Sequence, residues 1–122
     1  MDQQEDRKTG RTFHDGSERI IGACIEVHRL LGPGLIESVY EQCVCHELTL
    51  RNIAFERQVR VPIEYKGKTL SSYLKIDLVV EGRFILELKN VEQLAAVHIT
   101  QVLTYLKLTE LEIGLLVNFN VP

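Results

Sequence analysis

Three charged residues, Asp77, Glu87 and Lys89, interrupt an apolar stretch whose pattern predicts β-strands. Charges in such strands are costly unless they pair with one another or bind a metal ion. Two carboxylates held on strands are hard oxygen ligands, which suit Mg²⁺ or Mn²⁺. An ion of this kind polarises a phosphoryl oxygen and lowers the pKa of bound water. In such a site, Lys89 would orient that water or stabilise the charge that develops during the reaction.

The length of one turn decides whether Asp77 reaches Glu87. A two-residue turn, Glu81-Gly82, pairs Asp77 with Leu86 and leaves Glu87 on the other face. A three-residue turn over 81–83 places Asp77 opposite Glu87. The sequence permits either register, and only the second builds a site. A buried salt bridge of Lys89 with Asp77 or Glu87 explains the same spacing about as well.

Alternating apolar residues predict the strands that would carry these charges. On the second strand, Leu74, Ile76, Leu78 and Val80 are expected to share one face. Pro62 places the first strand at a sheet edge, because proline cannot donate to a ladder. The third strand is apolar on both faces, which marks it as central. The predicted strands cover 58–65, 70–80, 83–89 and 113–119.

Helical spacing of apolar residues predicts three helices, over 17–31, about 35–51 and 95 to about 108. We expect Ser17 to cap the first helix and Gly34 to cap the second, which would put Glu37 at the third helical position. The strand, helix, strand order at the end of the chain implies a parallel pairing. The predicted class is therefore α/β, a mixed sheet flanked by helices in the order α-α-β-β-β-α-β.

The 122 residues suit one domain over 16–122, preceded by a polar tail over 1–15 that we expect to be flexible. No apolar run approaches the roughly 20 residues of a membrane span, and the polar N-terminus does not resemble a signal peptide, so we expect a cytoplasmic protein without membrane contact. Cys43, Cys45 and His46 do not predict a zinc site, since no second cysteine pair completes a set of ligands.

The net charge of −3 and the isoelectric point of 5.8 argue against tight non-specific binding of nucleic acid. A local cluster of basic residues on the first two strands is the best candidate for a binding patch. The other interpretation is a solvated edge whose charges deter aggregation, which the sequence favours by about two to one. The cluster consists of Arg57, Arg60, Lys66, Lys68 and Lys75.

Several motifs resemble one known superfamily. Asp77, followed by Glu87-Leu88-Lys89, resembles the D…ExK signature of the PD-(D/E)xK nucleases, with Ile76 in place of the proline. GLIESVY over 34–40 is similar to the motif of the GxxExxY family, a branch of that superfamily. The resemblance covers about residues 20–122. Other segments similar in order and spacing are IIGACIEVHRLLGPG, FERQV, DLVVEG, ELKNVEQL and GLLVNF.

This resemblance implies a restriction-endonuclease-like core and a metal-dependent nuclease that acts on DNA or RNA. By motif position, Asp77, Glu87, the Leu88 carbonyl and Glu37 would bind Mg²⁺ or Mn²⁺, and Lys89 would be the catalytic lysine.

The resemblance also implies supporting residues and an alternative function. Gln101 and Tyr105 match a helix motif that would bind substrate or orient Lys89, and Tyr40 would support the site. The alternative is a catalytically inactive module on the same fold that binds nucleic acid or a protein partner. Related chains often continue past the position of Pro122 into another strand, which points to an open sheet edge here or to a homodimer that completes it.

Overall fold

The computed structural model describes residues 4–6, 11–13 and 15–122. Two short strands, β1 (Gln4–Asp6) and β2 (Arg11–Phe13), pair antiparallel ahead of the main fold. The expected flexible tail over 1–15 lies partly outside the described residues, at 1–3, 7–10 and 14, so it stays a prediction.

From Ser17 onward the elements follow the predicted order α-α-β-β-β-α-β. They form one four-stranded mixed sheet with the strand order β3-β4-β5-β6, in which β5 and β6 are parallel and the other neighbours are antiparallel. The predicted mixed sheet flanked by helices is confirmed. The helices are α1 (Ser17–Leu31), α2 (Glu37–Leu50) and α3 (Ala96–Thr109), and the strands are β3 (Phe55–Tyr65), β4 (Lys68–Val80), β5 (Phe84–Lys89) and β6 (Ile113–Asn118).

Helices cover both faces of the sheet. Side chains of α1 and α2 pack on Leu78 and Leu86, whereas Tyr105 of α3 packs with Ile76 and Ile85. Strand β5 is buried on both faces, as its apolar pattern predicts. Strand β3, which contains Pro62, lies at one edge of the sheet, also as predicted.

The expectation that Leu74, Ile76, Leu78 and Val80 share one face is wrong. The first two pack in the cluster on the α3 side, and the last two pack in the cluster under α1 and α2. The change of face coincides with Gln58 of β3, whose φ is +52°, a conformation that residues with side chains rarely adopt. Arg57 pairs with Leu78 and Val59 pairs with Ile76, so Gln58 stands opposite Asp77. At this point the apolar side chains of both strands change from one face of the sheet to the other.

Both predicted helix caps are also wrong. Helix α1 begins at Ser17 itself, and the Ser17 N–H and hydroxyl donate to Asp15. Helix α2 begins at Glu37, so Glu37 is the first helical residue and not the third. Tertiary contacts hold Leu35 just outside the helix, since its N–H donates to the Tyr40 hydroxyl and its carbonyl accepts from Asn90.

Within the described part of the chain, no helix has both the length and the apolar character needed to cross a membrane.

Candidate active site

The β4–β5 turn brings the two predicted carboxylates together. Val80 pairs with Phe84, so the turn has three residues, 81–83, and continuing the same register sets Asp77 opposite Glu87. The sequence left this register open. Glu81 and Gly82 both take positive φ, 53° and 63°, and the Arg83 N–H donates to the Val80 carbonyl at 3.1 Å. The longer of the two turns is therefore the one that forms.

Side chains replace the backbone ladder at this point. The paired register between β4 and β5 stops at Leu78 and Leu86. One residue further, the Asp77 N–H donates to Glu87 Oε1 at 2.9 Å, and the Leu88 N–H donates to Asp77 Oδ2 at 2.9 Å. Each carboxylate thus satisfies a backbone N–H of the opposite strand, and this exchange fixes both acids at the place where β4 leaves β5.

Burial makes this pair of acids electrostatically unusual. Glu87 is only 2% exposed, and burial, together with the charge of Asp77, raises the pKa of Glu87 to about 8. Burial also raises the pKa of Asp77, and the nearby charge of Glu41 adds to that rise. The charge of Lys89 and the backbone N–H bonds oppose both shifts. At neutral pH without a cation, the pair therefore retains a proton.

Lys89 lies two residues after Glu87 on β5 and is half-buried. Its charge lowers the pKa of both carboxylates, which places it within electrostatic range of them. Among the residues that the structure describes, however, no Asp or Glu oxygen lies within 4.0 Å of its ammonium group. Its charge is therefore not neutralised by a direct salt bridge with Asp77 or Glu87.

Glu37 reaches the end of β5 from the first turn of α2. Its Oε2 accepts the Asn90 N–H at 2.9 Å, and Asn90 directly follows Lys89. The Asn90 side chain donates to the Leu35 carbonyl, and so clamps the start of α2 to the sheet. Glu37 is exposed, and the described residues contain no group of three His, Cys, Asp or Glu side chains that could hold a metal ion. The structure therefore joins Asp77 with Glu87 but does not add Glu37 to them as a third close acid.

Glu41, a second acid of α2, was not among the site residues predicted from the sequence. It is 6% exposed, and its charge is felt by Asp77. Its two oxygens accept from Arg57 Nε and from Gln58 Nε2, both at 2.6 Å. Glu41 thus holds the left-handed residue of β3 that stands opposite Asp77. The i, i+4 spacing from Glu37 was the one available signal, since it puts both acids on the same helix face.

Helix α3 supplies Tyr105 and Gln101. Tyr105 is 4% exposed; burial raises the pKa of its hydroxyl, and the charges of Glu87 and Asp77 raise it further, so the ring lies near both carboxylates. A hydrogen bond to Gln101 opposes these effects. His98, in contrast, accepts the Ala95 N–H on Nδ1 at 2.9 Å and caps the helix.

A glycine on β6 allows α3 to pack this closely to the sheet. A Cβ atom at Gly114 would lie 2.4 Å from Val102 Cγ1 and 3.2 Å from Leu106 Cδ1. Real side chains do not approach so closely, so any larger residue would push the helix away. Gly114 therefore helps to set the position of Gln101 and Tyr105.

Tyr40 supports the loop before α2. It is fully buried and stacks on Phe119, with ring centroids 4.4 Å apart. Its hydroxyl donates to the Gly32 carbonyl at 2.5 Å and accepts the Leu35 N–H at 3.2 Å. A side chain with no exposed surface positions its neighbours and does not itself meet a substrate.

The donor set fits a hard divalent cation. One oxygen of each carboxylate accepts a backbone N–H, and the two carboxyl groups also share a hydrogen bond, whose proton a cation would have to displace. Mg²⁺ is commonly held by one or two carboxylates together with waters and substrate phosphates. A cation would also replace the proton that burial retains on the pair. Four-coordinate zinc would need more nitrogen or sulfur ligands than this site offers.

Sequence comparison assigns the chain to a family. The family model described as the PD-(D/E)XK nuclease superfamily matches residues 14–122, nearly the whole chain. Comparison with curated proteins and with solved structures returned no significant match. Because one family model accounts for almost the full length, including both carboxylates and Lys89, the chain belongs to the PD-(D/E)XK nuclease superfamily.

Proposed function

We propose that the protein is a metal-dependent nuclease of the GxxExxY branch, which hydrolyses phosphodiester bonds in nucleic acid. The observation that carries this proposal is the pairing of Asp77 with Glu87 across β4 and β5, with Lys89 two residues further along the same strand. Membership of the nuclease superfamily supports the reaction class.

Asp77, Glu87 and the Leu88 carbonyl would hold Mg²⁺ or Mn²⁺, whereas Glu37, which accepts the Asn90 N–H, would hold the end of β5 beside them. When bound, such an ion supplies a Lewis acid for the phosphoryl oxygen and lowers the pKa of a coordinated water. The hydrogen bonds from Asp77 N–H and Leu88 N–H hold the two carboxylates in place before any ligand arrives. This preorganisation reduces the rearrangement that metal binding requires.

The remaining groups of the site act on the substrate phosphate. The Lys89 ammonium, which forms no direct salt bridge with the described acids, is available to stabilise the negative charge that develops on the phosphate. Tyr105 feels the charge of both carboxylates and is hydrogen-bonded to Gln101, and these two residues of α3 would bind a phosphate oxygen or orient Lys89. Tyr40 acts only through the loop that it holds.

A cleavage assay on labelled DNA and RNA with Mg²⁺ or Mn²⁺ tests the proposal. We expect wild type to cleave, and Asp77→Asn and Lys89→Ala to lose at least about 100-fold in rate, as is typical when a group that stabilises transition-state charge is removed. The matched control is Glu112→Gln, a change at an exposed acid far from the pair in sequence. Equal cleavage by wild type and both site variants would point to a contaminating nuclease and refute the assignment.

A second candidate is a catalytically inactive module on the same fold that binds nucleic acid or a protein partner. One observation favours it: the described residues gather two acids, and not three, at the centre. Binding of nucleic acid by wild type without turnover in either metal would support this candidate over the nuclease.

A further inference from the structure

Strands β3 and β4 continue well beyond the rest of the sheet. Strand β5 pairs with β4 only at residues 78–80, whereas β3 and β4 stay paired with each other up to the turn at Lys66-Gly67. We call residues 59–76 the β3–β4 arm. At about 3.3 Å per residue, the eight or so residues on each side give it a length of about 26 Å. Helix α3 covers one face of its base, through Val59 and Leu74.

The charge of the arm is opposite to that of the whole protein. It carries four basic residues against one acid, Glu64, a net charge of +3, while the chain as a whole carries −3, so all other residues together carry −6. The four basic side chains are exposed, and none forms an ion pair with another described residue. They are Arg60, Lys66, Lys68 and Lys75. Arg57, just outside the arm, differs because Glu41 neutralises it.

Two of these charges face each other directly. Arg60 and Lys75 are cross-strand partners, an arrangement in which like charges destabilise a sheet. The Arg60 guanidinium lies 4.6 Å from the centre of the Tyr73 ring, which holds the charge on the exposed surface. An edge that needed charge only to prevent aggregation could use either sign. A like-charged pair that is kept in register is instead suited to a polyanion, whose binding would relieve the repulsion.

The arm begins at the candidate active site. Lys75 is two residues from Asp77, a separation of about 7 Å along a strand, and Gln58 stands opposite Asp77 at the base. A polyanion that follows the arm therefore passes beside Asp77 and Glu87.

We propose that the β3–β4 arm binds duplex DNA, with the two-stranded ribbon in the major groove and its basic side chains on the flanking phosphates. This inference rests on the proposed nuclease function and names its substrate class. The major groove of B-form DNA is about 12 Å wide and admits a two-stranded ribbon, whereas that of duplex RNA is too deep and narrow. At about 3.4 Å per base pair, an arm of about 26 Å spans seven to eight base pairs.

Salt-dependent binding of a labelled 24-base-pair DNA duplex in EDTA, where metal-dependent cleavage is suppressed, tests the arm. We expect the plot of log affinity against log salt to be shallower by about 2 in Arg60→Gln/Lys75→Gln than in wild type, since each lost phosphate contact removes about one unit of slope. The control variant Arg29→Gln/Lys107→Gln removes the same charge from the ends of α1 and α3 and should keep the wild-type slope. Thermal unfolding of each variant checks that it is folded.

Four outcomes of the direct binding measurements would overturn the proposal. They are an arm variant with the wild-type slope, an equal loss in the control variant, no duplex binding by wild type, and binding of single-stranded DNA or duplex RNA of the same length that equals or exceeds that of duplex DNA. Displacement of the duplex by polyglutamate at equal charge concentration would also overturn it, in favour of an acidic protein partner.

A parallel cleavage assay with Mn²⁺ separates this inference from the proposed function. Duplex binding that depends on the arm, without cleavage, would support the proposed role of the arm and refute the proposed nuclease activity. Cleavage that depends on Asp77, together with unchanged binding by Arg60→Gln/Lys75→Gln, would retain the nuclease and refute the arm.

Discussion

Asp77 and Glu87 stand opposite each other on β4 and β5, and the carboxylate of each accepts a backbone N–H of the other's strand. In this exchange, side-chain hydrogen bonds from two buried acids take the place of backbone hydrogen bonds between the two strands. Burial raises the pKa of both, so the arrangement opposes folding whenever both are ionised. A fold that retains such a pair loses stability at this position, a cost that is common at functional sites.

The first prediction concerns the pH dependence of stability in metal-free protein. The pKa of Glu87 is about 8 in the folded state and near 4.5 in the unfolded chain, so the folded state binds more protons between these values. The contribution of Glu87 to the free energy of unfolding is therefore fully present below about pH 4.5 and is lost as pH rises towards 8. We expect Glu87→Gln to remove most of this slope and to be more stable than wild type at pH 8 by about 1–3 kcal/mol, since one pKa unit corresponds to about 1.4 kcal/mol.

Urea unfolding in EDTA at several pH values measures this effect. Glu112→Gln, at an exposed acid, is the control and should keep the wild-type slope. If Glu87→Gln shows the wild-type pH dependence, the buried acid is not the source of that slope.

The second prediction concerns the cation. A ligand that binds only the folded state stabilises it in proportion to the logarithm of its concentration, so Mn²⁺ at about 100 times its dissociation constant should add about 2.7 kcal/mol. We expect thermal unfolding at pH 8 to show this gain for wild type and to show almost none for Asp77→Asn or Glu87→Gln. A similar gain in all three proteins would mean that Mn²⁺ binds elsewhere.

The third prediction separates Glu41 from an ordinary surface acid of the same helix. Glu41 accepts from Arg57 and Gln58 and is 6% exposed, so Glu41→Gln should cost about 1–3 kcal/mol, because the buried side chain loses the charge that strengthens both hydrogen bonds. It should also reduce cleavage by about tenfold or more, because the strand opposite Asp77 loses its anchor and misplacement by about 1 Å can cost a hundredfold.

The matched control is Glu47→Gln, which removes an exposed i, i+4 pair with Arg51. Such pairs contribute about 0.3–0.5 kcal/mol, so stability and cleavage should stay close to wild type. Equal effects of the two changes, in unfolding and in cleavage assays, would remove Glu41 from the site.

The fourth prediction concerns the distance between α3 and the sheet. Gly114→Ala would set a methyl group 2.4 Å from Val102, so we expect a loss of about 1–3 kcal/mol, the usual range for overpacking, and reduced cleavage as Tyr105 moves. Gly22→Ala in α1 is the comparison, since its new methyl group would meet only the flexible end of Arg51 at 3.1 Å. That change should be neutral or stabilise the helix by up to about 1 kcal/mol. Thermal unfolding that ranks the two variants the other way would contradict the packing argument.

Much of the fold could be predicted because its signals are local. Alternating apolar residues mark the strands, Pro62 marks an edge, and the apolar run over 84–88 marks the centre of the sheet. The strand, helix, strand order is enough to predict the parallel pairing of β5 with β6. Each of these signals depends on backbone chemistry or on a period of two or 3.6 residues, and both are properties of a short segment that do not depend on tertiary contacts.

The helix starts were predicted less well because long-range contacts decide them. Gly34 is a reasonable cap by residue type, but hydrogen bonds to Tyr40 and Asn90 hold Leu35 outside the helix, and α2 begins at Glu37. A cap chosen from sequence cannot take account of a partner 55 residues away.

By itself, the sequence determined which residues could do chemistry, Asp77, Glu87 and Lys89, and that they lie on neighbouring strands of an α/β sheet. Only the tertiary structure decided that the turn over 81–83 sets the two acids opposite each other. It also decided that Gln58 takes a left-handed conformation, held by Glu41, where the apolar side chains of β3 and β4 change from one face of the sheet to the other. The reason is physical: strand period is a local property, whereas register and the conformation of Gln58 depend on the sum of contacts from α2, β3 and β5, which no single segment encodes.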